Sequence, residues 1–152
     1  MHSDLHALKD LLLEVGHSRD PHGTMERLCQ GLAAIDGVAL ARVWLVEPGD
    51  ICATCTLRQE CPDQTRCLHL AASAGRSRTD PDADWGRTDG AYRRFPIGVR
   101  KIGRIAESAT SLRVEGVTDE SPWIHRPEWV RAEGIAAFVG QPIAHRGDVL
   151  GV

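Results

Sequence analysis

Residues 129–152 read WVRAEGIAAFVGQPIAHRGDVLGV, and they contain a helix end, a tight turn and the strands that flank it. The helix is expected to end at Gly134, because glycine accepts the left-handed conformation that closes many helices. Residues 135–144 and 149–152 are mostly apolar and include β-branched side chains, which predicts two strands. The first of them carries a Gly-x-Pro interruption at residues 140–142. Residues 145–148 (HRGD) supply the turn, so the two strands are expected to run antiparallel.

The residues before this hairpin predict an α+β fold in which helices pack on an antiparallel sheet. Apolar side chains recur with helical spacing in three places, so helices are predicted over 4–16, 24–35 and 99–109. Strands are predicted over 38–46 (VALARVWLV), 69–74 (HLAASA) and 111–117 (SLRVEGV). The first two strands are expected to form a hairpin, with a long cysteine-rich connection over residues 50–69.

Length and composition limit the class of protein. The 152 residues fit one domain, and 42% hydrophobic with 26% charged residues is ordinary for a globular chain. A net charge of −3 gives no overall positive field for nucleic acid, so no direct nucleic-acid contact is predicted. No apolar run approaches the roughly 18 residues that span a bilayer. The N-terminus lacks the basic start of a secretory signal, which predicts a cytoplasmic protein without a membrane contact.

Four of the five cysteines fall in the segment DICATCTLRQECPDQTRCLH, residues 50–69. Cys52, Cys55, Cys61 and Cys67 have the spacing C-x2-C-x5-C-x5-C. Because structural disulfides are rare in the cytoplasm, this cluster predicts a metal site or redox-active thiols. Thiolates are soft, charged donors that suit Zn²⁺ and iron–sulfur clusters. A bound metal would also order a connection that is unusually long for a compact domain.

Several readings of these residues remain open. His69 is an alternative ligand, although a packed position on the strand is the simpler interpretation. A structural zinc ion contributes on the order of 10 kcal/mol to folding and could order the segment without any sensing role. A thiol–disulfide switch without metal is a further alternative, since C-x-x-C pairs support that chemistry. Cys29 lies on the apolar face of the second helix and is interpreted as a core thiol.

Three groups of residues, in their order and spacing, resemble the GAF family of sensor domains. They are Gly103–Ala106 (GRIA) with Leu112–Val114 and Asp119, residues 129–135 (WVRAEGI) with Phe138 and Pro142, and residues 146–152 (RGDVLGV). The resemblance covers nearly the whole chain. It implies a non-catalytic sensory domain of a bacterial transcriptional regulator or kinase, connected to an output domain. It also implies a homodimer formed through the N-terminal helix.

The resemblance further implies a small-molecule pocket between the sheet and the facing helices and loops. Its aromatic candidates in this chain are Trp85, Tyr92, Phe95, Trp123 and Trp129. The pocket ligand is unknown, and the signature of cyclic-nucleotide-binding members is not visible.

This sequence departs from the family pattern in two ways. GAF domains usually continue past the final LGV with the rest of a strand and a helix, so the natural protein is expected to be longer. They usually lack a cysteine quartet between the first two strands, so residues 50–69 are interpreted as a metal-binding insertion.

The cysteine spacing also resembles that of known iron–sulfur regulators. The C-x2-C-x5-C part, Cys52, Cys55 and Cys61, is similar to the cluster-binding spacing of fumarate-nitrate-type regulators and WhiB-like proteins. This similarity favours a [4Fe–4S] cluster slightly over Zn²⁺, with Cys67 assigned by proximity. Two other functions stay open: a GAF-type methionine sulfoxide reductase that uses loop cysteines, and a purely structural or dimerising module.

Overall fold

The computed structural model describes residues 2–118, 120–121 and 124–152, and it confirms the predicted α+β fold. The α-helices are α1 (His2–His17), α2 (Pro21–Ala33), α3 (Arg100–Ser108) and α4 (Pro127–Glu133). The strands are β1 (Leu40–Pro48), β2 (Arg66–Gly75), β3 (Arg94–Pro96), β4 (Leu112–Glu115), β5 (Ala137–Gly140), β6 (Ile143–His145) and β7 (Asp148–Gly151). One short 3-10 helix, Arg58–Glu60, lies between β1 and β2.

Five strands form one antiparallel sheet in the order β3-β2-β1-β7-β6. The predicted hairpin of β1 and β2 is confirmed by hydrogen bonds at both of its ends. The Gly49 N–H donates to the Thr65 carbonyl at 2.9 Å, and the Arg76 N–H donates to the Ala39 carbonyl at 3.1 Å. Residues 49–65, called the cysteine loop below, therefore connect two paired strands.

The predicted turn at residues 145–148 is also confirmed. His145 pairs with Asp148, and the two residues between them, Arg146 and Gly147, have φ angles of 51° and 92°. Positive φ at both central residues is the property of a type I′ turn, whose twist matches that of paired strands. Glycine therefore has a conformational reason to stand at position 147.

The prediction of a single strand over residues 135–144, with a Gly-x-Pro interruption, is wrong in the number of strands. The segment forms two strands in different sheets, because β5 pairs with β4 in a separate two-stranded sheet, with Phe138 opposite Val114. Strand β6 instead pairs with β7. The break falls at Gln141 and Pro142, where proline has no N–H to donate to a ladder and often ends a strand.

Two further boundaries differ from the sequence prediction, each for a local reason. Helix α2 begins at Pro21 rather than near residue 24, because the Asp20 carboxylate accepts the His22 N–H and proline suits the first helical turn. Strand β2 begins at Arg66 rather than His69, since it pairs with β3 from Cys67 onward. Cys67 is thus a strand residue and not a loop residue.

The chain divides into two units, each with its own packing. The first contains α1, α2, the first part of β1 and the segment Ala71–Thr88. Here Leu11 of α1 packs against Gly31 of α2, and Cys29 is fully buried, which confirms its interpretation as a core thiol. Burial raises the pKa of Cys29 to about 11, so this thiol is neutral at pH 7.

The second unit contains Trp44–Leu70 and the described residues from Asp89 onward. Its core consists of Trp44, Leu68, Leu70, Ile102, Ile105, Ala106 and Val152. Helix α3 contributes three of them, at the i, i+3, i+4 spacing of an apolar helix face. Gly103, on the same helix, lies so close to β3 that a Cβ there would stand 2.1 Å from the Pro96 carbonyl oxygen. This core holds β2 and β3 beneath the cysteine loop.

Candidate metal centre

The cysteine loop and the adjoining strand ends enclose a cavity of about 20 Å³, called the cysteine cavity below. All four predicted ligands line it: Cys52, Cys55, Cys61 and Cys67. Its walls also carry Asp50, Asp63 and three arginines, Arg58, Arg66 and Arg94. The structure therefore brings together four cysteines that span 16 positions of sequence, within a space about large enough for one water-sized occupant.

The four cysteines are held by two kinds of backbone. Cys67 lies in β2 directly opposite Pro96 of β3, so the sheet fixes its position. Cys55 and Cys61 lie on either side of the short 3-10 helix, and both bond to Arg58 through the backbone. The Arg58 N–H donates to the Cys55 carbonyl, and the Cys61 N–H donates to the Arg58 carbonyl. Cys52 lies in a turn closed by the Thr54 N–H and the Ile51 carbonyl. The sheet therefore fixes Cys67, whereas tight turns carry Cys52, Cys55 and Cys61.

Two of the thiols already have hydrogen-bond partners within the loop. The Cys52 Sγ donates to the Gln64 carbonyl at 3.4 Å, and the Cys61 Sγ donates to the Asp63 carbonyl at 3.0 Å. Within the described residues, no three His, Cys, Asp or Glu side chains are arranged to hold a metal ion in this conformation. Metal ligation would therefore require these two thiols to lose their protons and turn from the carbonyls into the cavity.

Burial and a neighbouring charge shift the pKa of Cys67 in opposite directions. Burial raises the pKa of the Cys67 thiol to about 11, and the nearby Arg94 guanidinium partly offsets this rise. Cys67 is consequently a neutral thiol at pH 7 and would release its proton on binding a metal. Arginines near thiols favour the thiolate form, so the cationic walls suit an anionic, thiolate-rich site.

Arg94 also ties the start of the cysteine loop to β3. Its Nε and Nη2 donate to the two carboxylate oxygens of Asp50 at 2.8 and 2.6 Å, a bidentate ion pair. Hydrogen bonding by Arg94 holds the pKa of Asp50 well below its usual range. The loop thus starts from a fixed point beside the sheet.

His69 lies beside this ion pair and is not among the residues that line the cysteine cavity. Its Nε2 is buried, has no hydrogen-bond partner among the residues that the structure describes, and lies 3.6 Å from the Asp50 Oδ1. Burial, followed by the charge of Arg94, lowers the pKa of His69. The imidazole is therefore placed to pack next to Asp50, and its role as an alternative ligand stays a prediction.

Asp50→Asn is expected to lower the free energy of unfolding by about 0.5–1 kcal/mol at pH 7, a modest loss because the pair is partly exposed. The folded-state pKa of Asp50 is depressed, so its contribution is present above the unfolded-state pKa of about 3.9 and disappears as pH falls through the folded-state value. Urea unfolding of both proteins at neutral and strongly acidic pH should show the difference shrinking at low pH. An equal difference at both pH values would show that the carboxylate charge is not its source.

Two further contacts join the middle of the cysteine loop to later residues of the same unit. The Thr56 hydroxyl donates to the Ala91 carbonyl at 2.9 Å. Glu60, immediately before Cys61, accepts a hydrogen bond from Arg100, the first residue of α3, at 2.5 Å. Arg94 and Arg100 have no sequence signal that identifies these roles, because each lies 40 or more positions from its acidic partner.

Four of the five aromatic residues predicted to form a small-molecule pocket are described by the structure, and they lie outside the cysteine cavity. Tyr92 stacks on Phe95 with ring centroids 6.3 Å apart, and Phe95 meets Trp44 edge-on at 5.8 Å. Trp129 lies in α4, while the Trp85 carbonyl accepts a hydrogen bond from the Ser73 hydroxyl in the first unit. Trp123 lies outside the described residues. The four described aromatics do not line the cysteine cavity, so a second pocket remains a prediction.

In the described part of the chain, no helix has the length and apolar character needed to cross a membrane. Comparison with protein families gives a match to the GAF domain over residues 20–152. A comparison with curated proteins finds no match.

Three solved GAF domains have the same fold at low sequence identity. The GAF domain of a phosphoenolpyruvate-protein phosphotransferase from Coxiella burnetii is 17% identical with a TM-score of 0.62, covering 97% of this chain and 73% of that one. The A. aeolicus nlh2 GAF domain in an inactive state is 12% identical with a TM-score of 0.64, covering 97% and 75%. The GAF domain of an Acinetobacter phosphoenolpyruvate-protein phosphotransferase is 15% identical with a TM-score of 0.57, covering 99% and 75%.

Proposed function

The chain belongs to the GAF domain family, and we propose that it is a non-catalytic sensory domain whose cysteine loop responds to redox state or oxygen through a bound metal. Domains of this family typically have sensory or regulatory roles and usually sit in multidomain proteins with output domains. The observation that carries the proposal is the convergence of all four loop cysteines on one cavity. The context we propose is a bacterial signalling or transcription-regulatory protein.

The donor set suits a tetrathiolate centre, which binds either Zn²⁺ or a [4Fe–4S] cluster. The cysteine cavity of about 20 Å³ is partly open, and a cluster would require the loop to open further than a single ion would. Opening is compatible with the placement of the ligands, because only Cys67 is fixed in the sheet. A cluster would supply redox chemistry at this position, and zinc would supply only order.

The protein's own residues suggest how the signal begins. In this structure, the thiols of Cys52 and Cys61 donate to the Gln64 and Asp63 carbonyls. Ligation exchanges these local bonds for a shared centre that includes Cys67 on β2, so the cysteine loop would be pulled toward the sheet. Loss of the centre would return the thiols to the loop carbonyls. The loop would thus alternate between two sets of partners.

Helix α1 is the proposed contact with a second copy of the chain. Leu12 and Leu13 are exposed large apolar side chains on this helix, whereas Leu11 is buried against α2. Exposed leucines on one helix support pairing between subunits, which light scattering of the purified chain would reveal.

Metal content and the visible spectrum of anaerobically purified protein test the proposal. Wild-type protein is expected to contain iron and sulfide and to have broad visible absorbance. Cys55→Ser should remove most of the bound metal, because one of four thiolates is lost. The matched control is Cys29→Ala, which changes the fifth cysteine in the other unit and should leave the metal content unchanged.

The possible results separate the alternatives. Iron, sulfide and colour that depend on Cys55 support redox or oxygen sensing. Stoichiometric zinc without colour would refute the redox sensor and leave a structural zinc loop. Protein without any metal, or with metal that survives Cys55→Ser, would refute the tetrathiolate site.

A further inference from the structure

The contact between Glu60 and Arg100 connects the cysteine loop to a helix of the core. Glu60 is the residue before the proposed ligand Cys61, and Arg100 opens α3. Their ion pair is partly shielded, with side chains 44% and 23% exposed. Movement of Cys61 toward or away from the cysteine cavity must therefore displace a side chain that holds the start of α3.

Arg100 has an unusual backbone conformation at this junction. Its φ angle is 59°, in the left-handed region that residues with a Cβ seldom occupy. Such conformations persist only where surrounding contacts enforce them, and they concentrate at switches and functional sites. The Arg100 guanidinium contacts Glu60 and also His125, which lies shortly before α4. The side chain of Arg100, at the start of α3, therefore contacts both the cysteine loop and the segment before α4.

Helix α3 is suited to carry a change at Arg100 into the core of the second unit. Ile102, Ile105 and Ala106 are buried in the core, and Gly103 packs against the backbone of β3. Because packed cores are not continuously deformable, a shift at the first turn of this helix would be passed to its neighbours rather than absorbed.

We propose that Glu60 and Arg100 are positioning residues that transmit occupancy of the cysteine site to the start of α3. The inference rests on the proposed function, since it requires a metal at the four cysteines. A bound metal fixes Cys61 and hence Glu60, which holds Arg100 and the first turn of α3. Loss of the metal lets Cys61 move, so the Glu60–Arg100 contact breaks more often and the first turn of α3 opens more readily.

Amide hydrogen exchange over residues 99–108 tests this coupling, with Zn²⁺ as the probe. Metal-free protein and protein loaded with one equivalent of Zn²⁺ are compared for the wild type, Glu60→Gln and Arg100→Gln. In the wild type, Zn²⁺ is expected to slow exchange at the first turn of α3 by up to about fivefold, the range of one partly exposed ion pair. Each variant should bind Zn²⁺ with unchanged stoichiometry and lose this slowing.

Two matched proteins separate coupling from general destabilisation. Glu115→Gln removes a more exposed ion pair, with Arg113 on β4, and should keep the wild-type response. The charge-reversed double variant Glu60→Arg/Arg100→Glu should regain the response that the single variants lose. If Glu60→Gln disturbs zinc binding through its neighbour Cys61, Arg100→Gln decides the test, because it lies outside the loop.

The results that would contradict the coupling differ from those that would contradict the proposed function. If the variants bind Zn²⁺ and α3 is slowed as in the wild type, the coupling is wrong and the proposed function stands. If wild-type protein binds Zn²⁺ without any change over 99–108, the coupling is equally wrong. A wild-type chain that binds no Zn²⁺ overturns this inference, while the proposed function is judged separately on the metal content of the anaerobically purified protein.

Discussion

Gly103→Ala is expected to lower the free energy of unfolding by about 3 kcal/mol or more, although alanine is the better helix former. The added Cβ would lie 2.1 Å from the Pro96 carbonyl oxygen and 3.1 Å from the Gly98 nitrogen. Both are backbone atoms, so no side-chain rotation relieves the overlap. Helix α3 would have to move away from β3 and withdraw Ile102 and Ile105 from the core.

Gly16→Ala is the matched control, because it makes the same change in another helix. A Cβ at Gly16 of α1 meets nothing within 4 Å. This substitution should therefore raise stability by about 0.5–1 kcal/mol through helix propensity alone. Urea unfolding of the three proteins measures both changes. A stability of Gly103→Ala within about 0.5 kcal/mol of wild type would contradict the close packing of α3 on β3.

The two glycines also show what sequence patterns can and cannot predict. Helical spacing of apolar residues predicts α3, and its Ile102, Ile105 and Ala106 face the core as expected. The same spacing does not show that Gly103 is needed for close approach to a strand. That requirement depends on the position of Pro96, which is set by tertiary packing.

Strand pairing is predictable where two strands follow one another along the chain. The β6–β7 hairpin is predicted from the HRGD turn between its strands, and the β1–β2 hairpin from two consecutive strands joined by the cysteine loop. The pairing of β4 with β5 is not predicted, since α4 lies between the two strands along the chain. The Gly-x-Pro interruption at residues 140–142 marks the break between β5 and β6, and the missing N–H of Pro142 is the physical reason for it.

The candidate site also has features that the sequence predicts and features that it does not. Spacing alone predicted that Cys52, Cys55, Cys61 and Cys67 would converge, and all four line one cavity. The partners that position the loop were not predictable, because charged pairs such as Glu60–Arg100 join distant segments. In the sequence, Arg100, Lys101 and Arg104 form an ordinary basic cluster, which is typical of a solvated helix face.

Leu68→Ala is expected to cost about 3 kcal/mol or more in unfolding free energy. Leu68 is completely buried, packs in the core of the second unit and lies opposite Phe95 of β3. The shorter side chain leaves a cavity that a sheet and a packed helix can fill only in part. The control is Leu150→Ala in β7, where the side chain is 48% exposed and the loss should stay below about 1 kcal/mol. Equal losses in the two variants would contradict the assignment of Leu68 to the core.

Leu68→Ala also tests whether core packing and metal binding are independent. Adjacent residues of a strand point to opposite faces, so the two sites lie on different sides of β2. Leu68 faces the core, whereas its neighbour Cys67 lines the cysteine cavity. The stabilisation by Zn²⁺ depends only on its concentration and dissociation constant, so it should be the same in Leu68→Ala and wild-type protein. Urea unfolding with and without Zn²⁺ measures this increment. A smaller increment in Leu68→Ala would show that core packing at β2 is needed to hold Cys67 in place for the metal.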